Sequence, residues 1–230
     1  MRIVKQMIEK KKLVIIGIGE TANLAYEYFS KDSNFCPLAF SVSKEYIKDC
    51  QFRGLPIVPF ENLEDFYSPD QYYAFVAISG ANLNRDRIKM YELTKAKGFR
   101  CASYVSSRAF VWDNVQIGEN CFILENNTLQ PFSKVGNNVV MWSGNHLGHQ
   151  SVIKDGCFIT SHVVISGFCE IGENSYLGVN SAIADEIKVA ENNFIAMGAI
   201  INFNTVPDKM YCPGRTKDMQ INTVDYFGVH

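Results

Sequence analysis

The chain is predicted to be mainly β, a parallel β-solenoid of hexapeptide repeats behind a small α/β unit, on three observations. Every sixth residue from Val105 to Ile201 is aliphatic, without a miss. The slot four residues after these positions is filled mostly by small side chains, among them Cys121, Ser133, Ser151, Cys157, Cys169, Ser175, Ser181 and Ala199. The first hundred residues instead alternate short apolar runs with helical spacing.

In chain order, Leu13 to Ile16 is a buried-strand run. Gly17, Gly19 and Ala22 follow, and Ala22, Ala25, Tyr28 and Phe29 recur at helical spacing. Such a turn suits a phosphate, because glycine lets the backbone approach an anion and the free N–H groups of a helix start point at it. Gly17, Gly19 and Glu20 are therefore candidate substrate contacts. The second strand, Pro37 to Val42, ends near Ser41 and Ser43, where a nicotinamide-binding chain carries an acid for the ribose hydroxyls. That argues against a dinucleotide and leaves Ser41 as a candidate contact. Strands are then expected at Leu55 to Val58 and at Ala74 to Ile78, running into Ser79 and Gly80. A helix from about Arg85 to Lys97 should stop at Gly98.

From Val105 the period is six, which fits neither a helix nor a flat alternating strand. It fits a solenoid in which each repeat makes one short strand and three repeats close a triangular coil. Residues 105–201 then form a prism roughly 25 Å tall at a strand spacing of about 4.8 Å. Gly118, Gly136, Gly148, Gly172 and Gly178 directly follow aliphatic positions, and their expected role is to relieve backbone strain where the chain bends.

With 230 residues, 47% hydrophobic, the chain can bury a sizeable core. The change of pattern near residue 104 divides it into 1–104, 105–205 and a tail, 206–230. A net charge of −2 gives no footprint for nucleic acid or an anionic membrane. Seven cysteines, an odd number without a CxxC pair, suggest reduced thiols in a cytoplasmic protein. The basic start, Arg2 to Lys12, leads into only six apolar residues before a glycine turn, so neither an export signal nor a membrane span is expected.

Chemistry concentrates in the run Trp142 to Ile153. His149 stands two residues after inward Leu147, so it should project from a corner of the coil, and imidazole suits a general base near neutral pH. His146, just before Leu147, is a second candidate base or a packing residue. His162 falls three residues after Ile159, on another part of the coil. Trp112 and Trp142 each follow an inward position, as corner packing or as the wall of a groove. Cys157 and Cys169 should face the interior, which argues against either as a nucleophile.

With the α/β unit ahead of the prism and this run upon it, the chain resembles the bacterial sugar O-/N-acyltransferases of the left-handed β-helix superfamily, over about residues 12–217. The likeness is greatest to N-acetyltransferases of nucleotide-linked 4-amino sugars and to sialic acid O-acetyltransferases. The resemblance implies a left-handed coil, against the usual crossover rule. It also implies a Rossmann-like N-terminal domain holding a nucleotide-linked sugar, a homotrimer, and acetyl-CoA in the groove between neighbouring prisms, with no metal. His149 matches the family's catalytic histidine, while its neighbour, often an acid there, is Gln150. By their places on the coil, His162 is a candidate substrate-lining or subunit-contact residue and Asn145 a candidate substrate contact. Ser166 and Gly167 match the small pair near the thioester, and Gly178, Ala184, Ala196 and Gly198 continue that track, although small residues also suit a solenoid for structural reasons. The run Tyr211 to Lys217 stands where the family has Gly-x-Pro-Ala-Lys; its order is altered, yet Arg215 and Lys217 could meet a CoA phosphate.

The expected reaction is direct attack of the amine of a 4-amino-4,6-dideoxyhexose on the thioester, without a covalent intermediate. Three alternatives stand beside it. A sugar O-acetyltransferase of the sialic acid type and a non-catalytic binding or scaffold protein share the fold. A trimeric zinc lyase uses three histidines whose spacing His146, His149 and His162 do not match.

Overall fold

The computed structural model describes residues 10–214 and 220–228. The N-terminal unit is built on a central apolar strand, β1 (Lys11–Ile16), whose last four residues are buried on both sides, as a strand flanked by other layers requires. After it come α1 (Glu20–Lys31), β2 (Phe35–Val42), β3 (Gln51–Phe52), β4 (Leu55–Pro59), a single turn α2 (Leu63–Phe66), β5 (Tyr73–Val76), α3 (Arg85–Ala96) and β6 (Arg100–Cys101). The sheet order is β3-β4-β2-β1-β5-β6, parallel except for the β3–β4 pair. Ala22, Ala25 and Phe29 pack α1 onto the sheet. Strand β2 begins two residues before its predicted start, and β5 ends at Val76, short of the predicted Ile78.

The rest of the body is a triangular parallel β-helix. Its three faces are sheets of seven, six and five two-residue strands. Each aliphatic residue of the sixfold pattern is the second residue of such a strand, so it points inward, and those from Ile123 to Ile201 are buried as one core. The first residue of each strand points outward and gives each face its character. Tyr104, Phe122, Val140, Phe158, Tyr176 and Phe194 line the first face; Phe110, Thr128, His146, Val164, Ala182 and Ile200 the second; Gln116, Lys134, Val152, Glu170 and Lys188 the third. One strand was not foreseen: the period breaks after Ile201, and Met210–Tyr211 closes the first face by pairing with Phe194–Ile195.

The corners bend for a different reason from the one expected. The left-handed residue is the third after each inward aliphatic from Ile117 to Ile195, for example Asn120, Asn138, Asn174 and Asn192, whose φ values lie between 54° and 61°. The glycines that directly follow the aliphatic residues serve spacing instead: a Cβ on Gly178 would sit 2.5 Å from the Met197 nitrogen of the next coil, and one on Gly172 2.5 Å from that of Glu191.

The N-terminal unit lies on the first face. Leu13, Ile15, Phe29 and Phe75 share a core with Tyr104, Phe122, Val140 and Phe158. Arg87 of α3 is fully buried against the edge between the third and first faces, donating to the carbonyls of Asn138, Gly156 and Cys157. Burial lowers its pKa to about 10, so it remains charged at neutral pH. On the same edge Asn120 accepts from the Val76 N–H at 2.8 Å, and Lys95 pairs with Glu119 at 2.8 Å. Burial alone would raise the Glu119 carboxyl, but Lys95, Tyr91 and the Cys101 N–H hold it below its ordinary value. Among the described residues, no helix is long and apolar enough to cross a membrane.

Candidate functional site

The edge between the second and third faces carries His149. Strand His146–Leu147 ends the second face, Val152–Ile153 begins the third, and the four residues between them turn the corner. His149 is exposed, and its backbone N–H donates to Gln130 Oε1 at 3.0 Å. Its imidazole lies on the bare Cα of Gly167 in the next coil, where a Cβ would fall 3.0 Å from Nε2. Phe168 meets the ring edge-on, with centroids 4.9 Å apart and planes at 81°. Gly167 is held in turn by Asp185, whose Oδ1 accepts its N–H at 2.8 Å. Gln150 is the exposed left-handed corner residue, φ 57°, its N–H bonded to the Pro131 carbonyl.

The expected site residues divide between two edges. Ser166, Gly167 and Ala184 stand on the edge of His149 and Gln150. His162, Gly178, Ala196 and Gly198 stand on the edge between the first and second faces. His162 is exposed there, its ring lying over Gly144, where a Cβ would be 2.6 Å from Nδ1. His146 lies between the two edges, half-buried on the second face and paired in register with Thr128 and Val164.

Two expected substrate contacts are buried within the chain. Asn145 is buried, and its side chain staples the coil, accepting from the Val163 N–H at 2.8 Å and donating to the Trp142 carbonyl. Ser41 is fully buried at the end of β2, with its carbonyl accepting from the Gly17 N–H at 2.7 Å. Neither side chain is presented to solvent. Gly17 is buried with φ 120°, 2.8 Å being all that would separate its Cβ from the Ala77 carbonyl; a close approach of strands explains this glycine without a ligand. Gly19 and Glu20 are exposed at the start of α1, where Glu20 accepts from Asn23. Arg215, Lys217 and His230 lie outside the described residues.

Sequence reasoning missed a cleft. It measures about 760 Å³, between the Ser79–Leu83 loop and the first face, and is walled by Trp142, Phe158, Tyr176 and Phe194. Phe158, Tyr176 and Phe194 form a ladder of near-parallel rings, 5.3 and 5.0 Å apart. Their recurrence every eighteenth residue on the outward side of one face was the available signal. Trp142 walls this cleft, whereas Trp112 is exposed on the His149 edge against Phe110. The loop over the cleft has three successive left-handed residues, Asn82, Leu83 and Asn84.

The Cys157 thiol is remote from this chemistry, on the edge between the third and first faces. Cys157 is fully buried, and burial pushes it up to about 12. Among the described residues, no group of three or more His, Cys, Asp or Glu is placed to hold a metal ion.

No family model matches the chain. A curated relative, an acyl-[acyl-carrier-protein]–UDP-N-acetylglucosamine O-acyltransferase of Sinorhizobium fredii, is 24% identical over 98 residues; the match spans 40% of this chain and 36% of that protein's length. The acetyltransferase domain of PglB from Neisseria gonorrhoeae FA1090 superposes with a TM-score of 0.77 at 21% identity, covering 87% of this chain and 96% of that one. A second structure of that domain, in complex with acetyl coenzyme A, gives 0.77 at 20%, over 87% and 95%. PerB from Caulobacter crescentus, in complex with CoA and GDP-perosamine, gives 0.74 at 20%, over 84% and 89%. The chain therefore has the fold of these hexapeptide-repeat acetyltransferases.

Proposed function

We propose that the chain is an acetyl-CoA-dependent N-acetyltransferase acting on a nucleotide-linked amino sugar of the 4-amino-4,6-dideoxyhexose class. One observation carries the reading: an exposed imidazole, His149, rests on Gly167 at an open edge of a prism whose fold is that of proteins solved with acetyl-CoA, or with CoA and GDP-perosamine. The prism winds left-handed, the N-terminal parallel sheet is its Rossmann-like nucleotide domain, and the divisions are 1–104, 105–205 and 206–230.

The amine lone pair attacks the thioester carbonyl carbon while a ring nitrogen of His149 takes the amine proton. The oxyanion accepts from a backbone N–H of the later coils. The intermediate collapses to the amide with cleavage of the C–S bond, and the thiolate leaves as CoA once it receives the proton held by the imidazole. Gln150, being neutral, lends no charge to that imidazole.

The division of candidate residues between two edges supports a homotrimer. In a closed ring of copies the His149 edge of one prism meets the His162 edge of the next, so Ser166, Gly167 and Ala184 face Gly178, Ala196 and Gly198 across one groove. The aromatic cleft beside the His162 edge receives the acceptor, with its sugar directed towards the His149 of the neighbouring copy.

His149→Ala should lower kcat by about two to four powers of ten, the worth of general-base catalysis, with calorimetric binding of CoA unchanged. Near-full turnover in that variant would remove His149 from the mechanism. A wild-type protein that binds no CoA would favour the scaffold alternative.

A further inference from the structure

We infer that Phe168, seated with Gly167, is the positioning residue of the His149 imidazole, holding by ring contact what a neighbouring carboxylate would hold by charge. The inference rests on the reading of His149 as the base.

The corner residues give the first observation. Between the third and first faces, the left-handed positions are Asn120, Asn138, Gly156, Asn174 and Asn192. Between the first and second faces they are Asn126, Gly144, Asn180 and Gly198, with His162 as the exception. Glycine and asparagine are the residues that tolerate this conformation. On the His149 edge none of the left-handed residues is of that kind: they are Phe132, Gln150, Phe168 and Glu186. A phenylalanine with φ 56° opposes the backbone preference of its own position, and half its surface is exposed, so core burial does not compensate. Such outliers persist where the surroundings or the function require them.

The second observation is what Phe168 touches. Its ring packs edge-to-face on His149 at 4.9 Å, and its backbone N–H bonds the His149 carbonyl at 3.0 Å, so ring and main chain tie the same two residues. Gly167 supplies the floor: any side chain there would occupy the place of the imidazole. Among the described residues no side chain hydrogen-bonds the imidazole, and Gln150 offers no charge. Floor and wall together fix the plane of the ring and leave both nitrogens open, one of them to take the substrate proton.

The test separates orientation from folding by using the residue that the other corners prefer. Phe168→Asn should melt at or above the wild-type temperature. Its kcat should fall about two- to tenfold, the conversion of a typical aromatic pair into rate, with both KM values unchanged. Phe168→Tyr, which returns the ring, should restore kcat. Phe132→Asn, the same exchange one coil earlier, should show the thermal change without the loss of kcat. In the resting protein the His149 Cε1–H resonance should move in Phe168→Asn, a readout that needs no turnover. Full kcat in Phe168→Asn, or an unmoved resonance, overturns the clamp. A wild-type protein without CoA-dependent turnover overturns the functional reading, and with it the clamp's part in catalysis.

Discussion

Residues of the small inward slot do one job with two chemistries. Ser151 Oγ donates to the Ser166 carbonyl at 2.7 Å, and Ser175 Oγ to that of Ala190 at 3.0 Å. Cys121 and Cys157 make the equivalent contact through Sγ, to Gly136 at 3.0 Å and Gly172 at 3.1 Å. Each closes a corner of the next coil, so these cysteines act as polar staples, and their burial pushes the thiols up to about 11 for Cys121 and about 12 for Cys157. At pH 8 a thiol near 12 is thiolate in only on the order of 10^-4 of molecules, before its burial is considered. A disulfide reagent added to the folded protein at pH 8 should therefore modify exposed Cys50 and Cys212 quickly and half-buried Cys36 more slowly, leaving Cys101, Cys121, Cys157 and Cys169 until denaturant is added. Mass spectrometry of the labelled peptides reads this directly, and early labelling of Cys157 would contradict the packing described.

At the scale of elements, the period of six was legible because each inward residue must be aliphatic and nothing else in the chain interrupts the count. The fastening of the N-terminal unit was not legible, since it depends on which edge α3 meets. Arg87 lies in a helix whose sequence reads as polar surface, yet its guanidinium enters the corner of the prism and satisfies carbonyls of two coils. Ser41 and Asn145 share a limit of the same kind: a polar residue at a strand end or corner has the same sequence signature whether it faces a ligand or is buried in the fold, where Asn145 staples the backbone and the Ser41 hydroxyl has no hydrogen-bond partner. The corner asparagines could have been found, because Asn120, Asn126 and Asn138 already show the spacing. Their left-handed conformation, and not the glycine before it, is what turns the chain. Arg87→Ala should cost about 3 kcal/mol or more, because hydrogen bonds from a charged donor are lost and the carbonyls stay buried. In a chain of this size that lowers Tm by roughly 6–12 °C. Calorimetry showing a loss under about 1 kcal/mol would mean that α3 is held by apolar packing alone.

The whole molecule has three faces with three fates. The first is covered by the N-terminal unit, and the third is charged, crossed by the Lys154–Glu170 pair at 2.7 Å. Among the described residues nothing covers the second, although its outward residues are largely apolar, with Val164 44% and Ile200 74% exposed. A largely apolar strip of this kind, interrupted by Thr128 and His146, has the character of an interface. It lies between the two edges that carry the candidate cofactor residues, so the same contact that buries it would complete the site. A closed ring is an arrangement in which one edge repeatedly meets the other, and the proposed trimer is one such ring. Val164→Glu places a carboxylate in the middle of that strip, where burial without a partner is costly but exposure on a free prism is not. Sedimentation should find the wild type at three times the chain mass and Val164→Glu as a folded monomer, with its circular dichroism retained and its acetyl transfer lost. A wild-type monomer that still turns over would place the whole site within one chain, and a trimeric Val164→Glu would move the contact to another face.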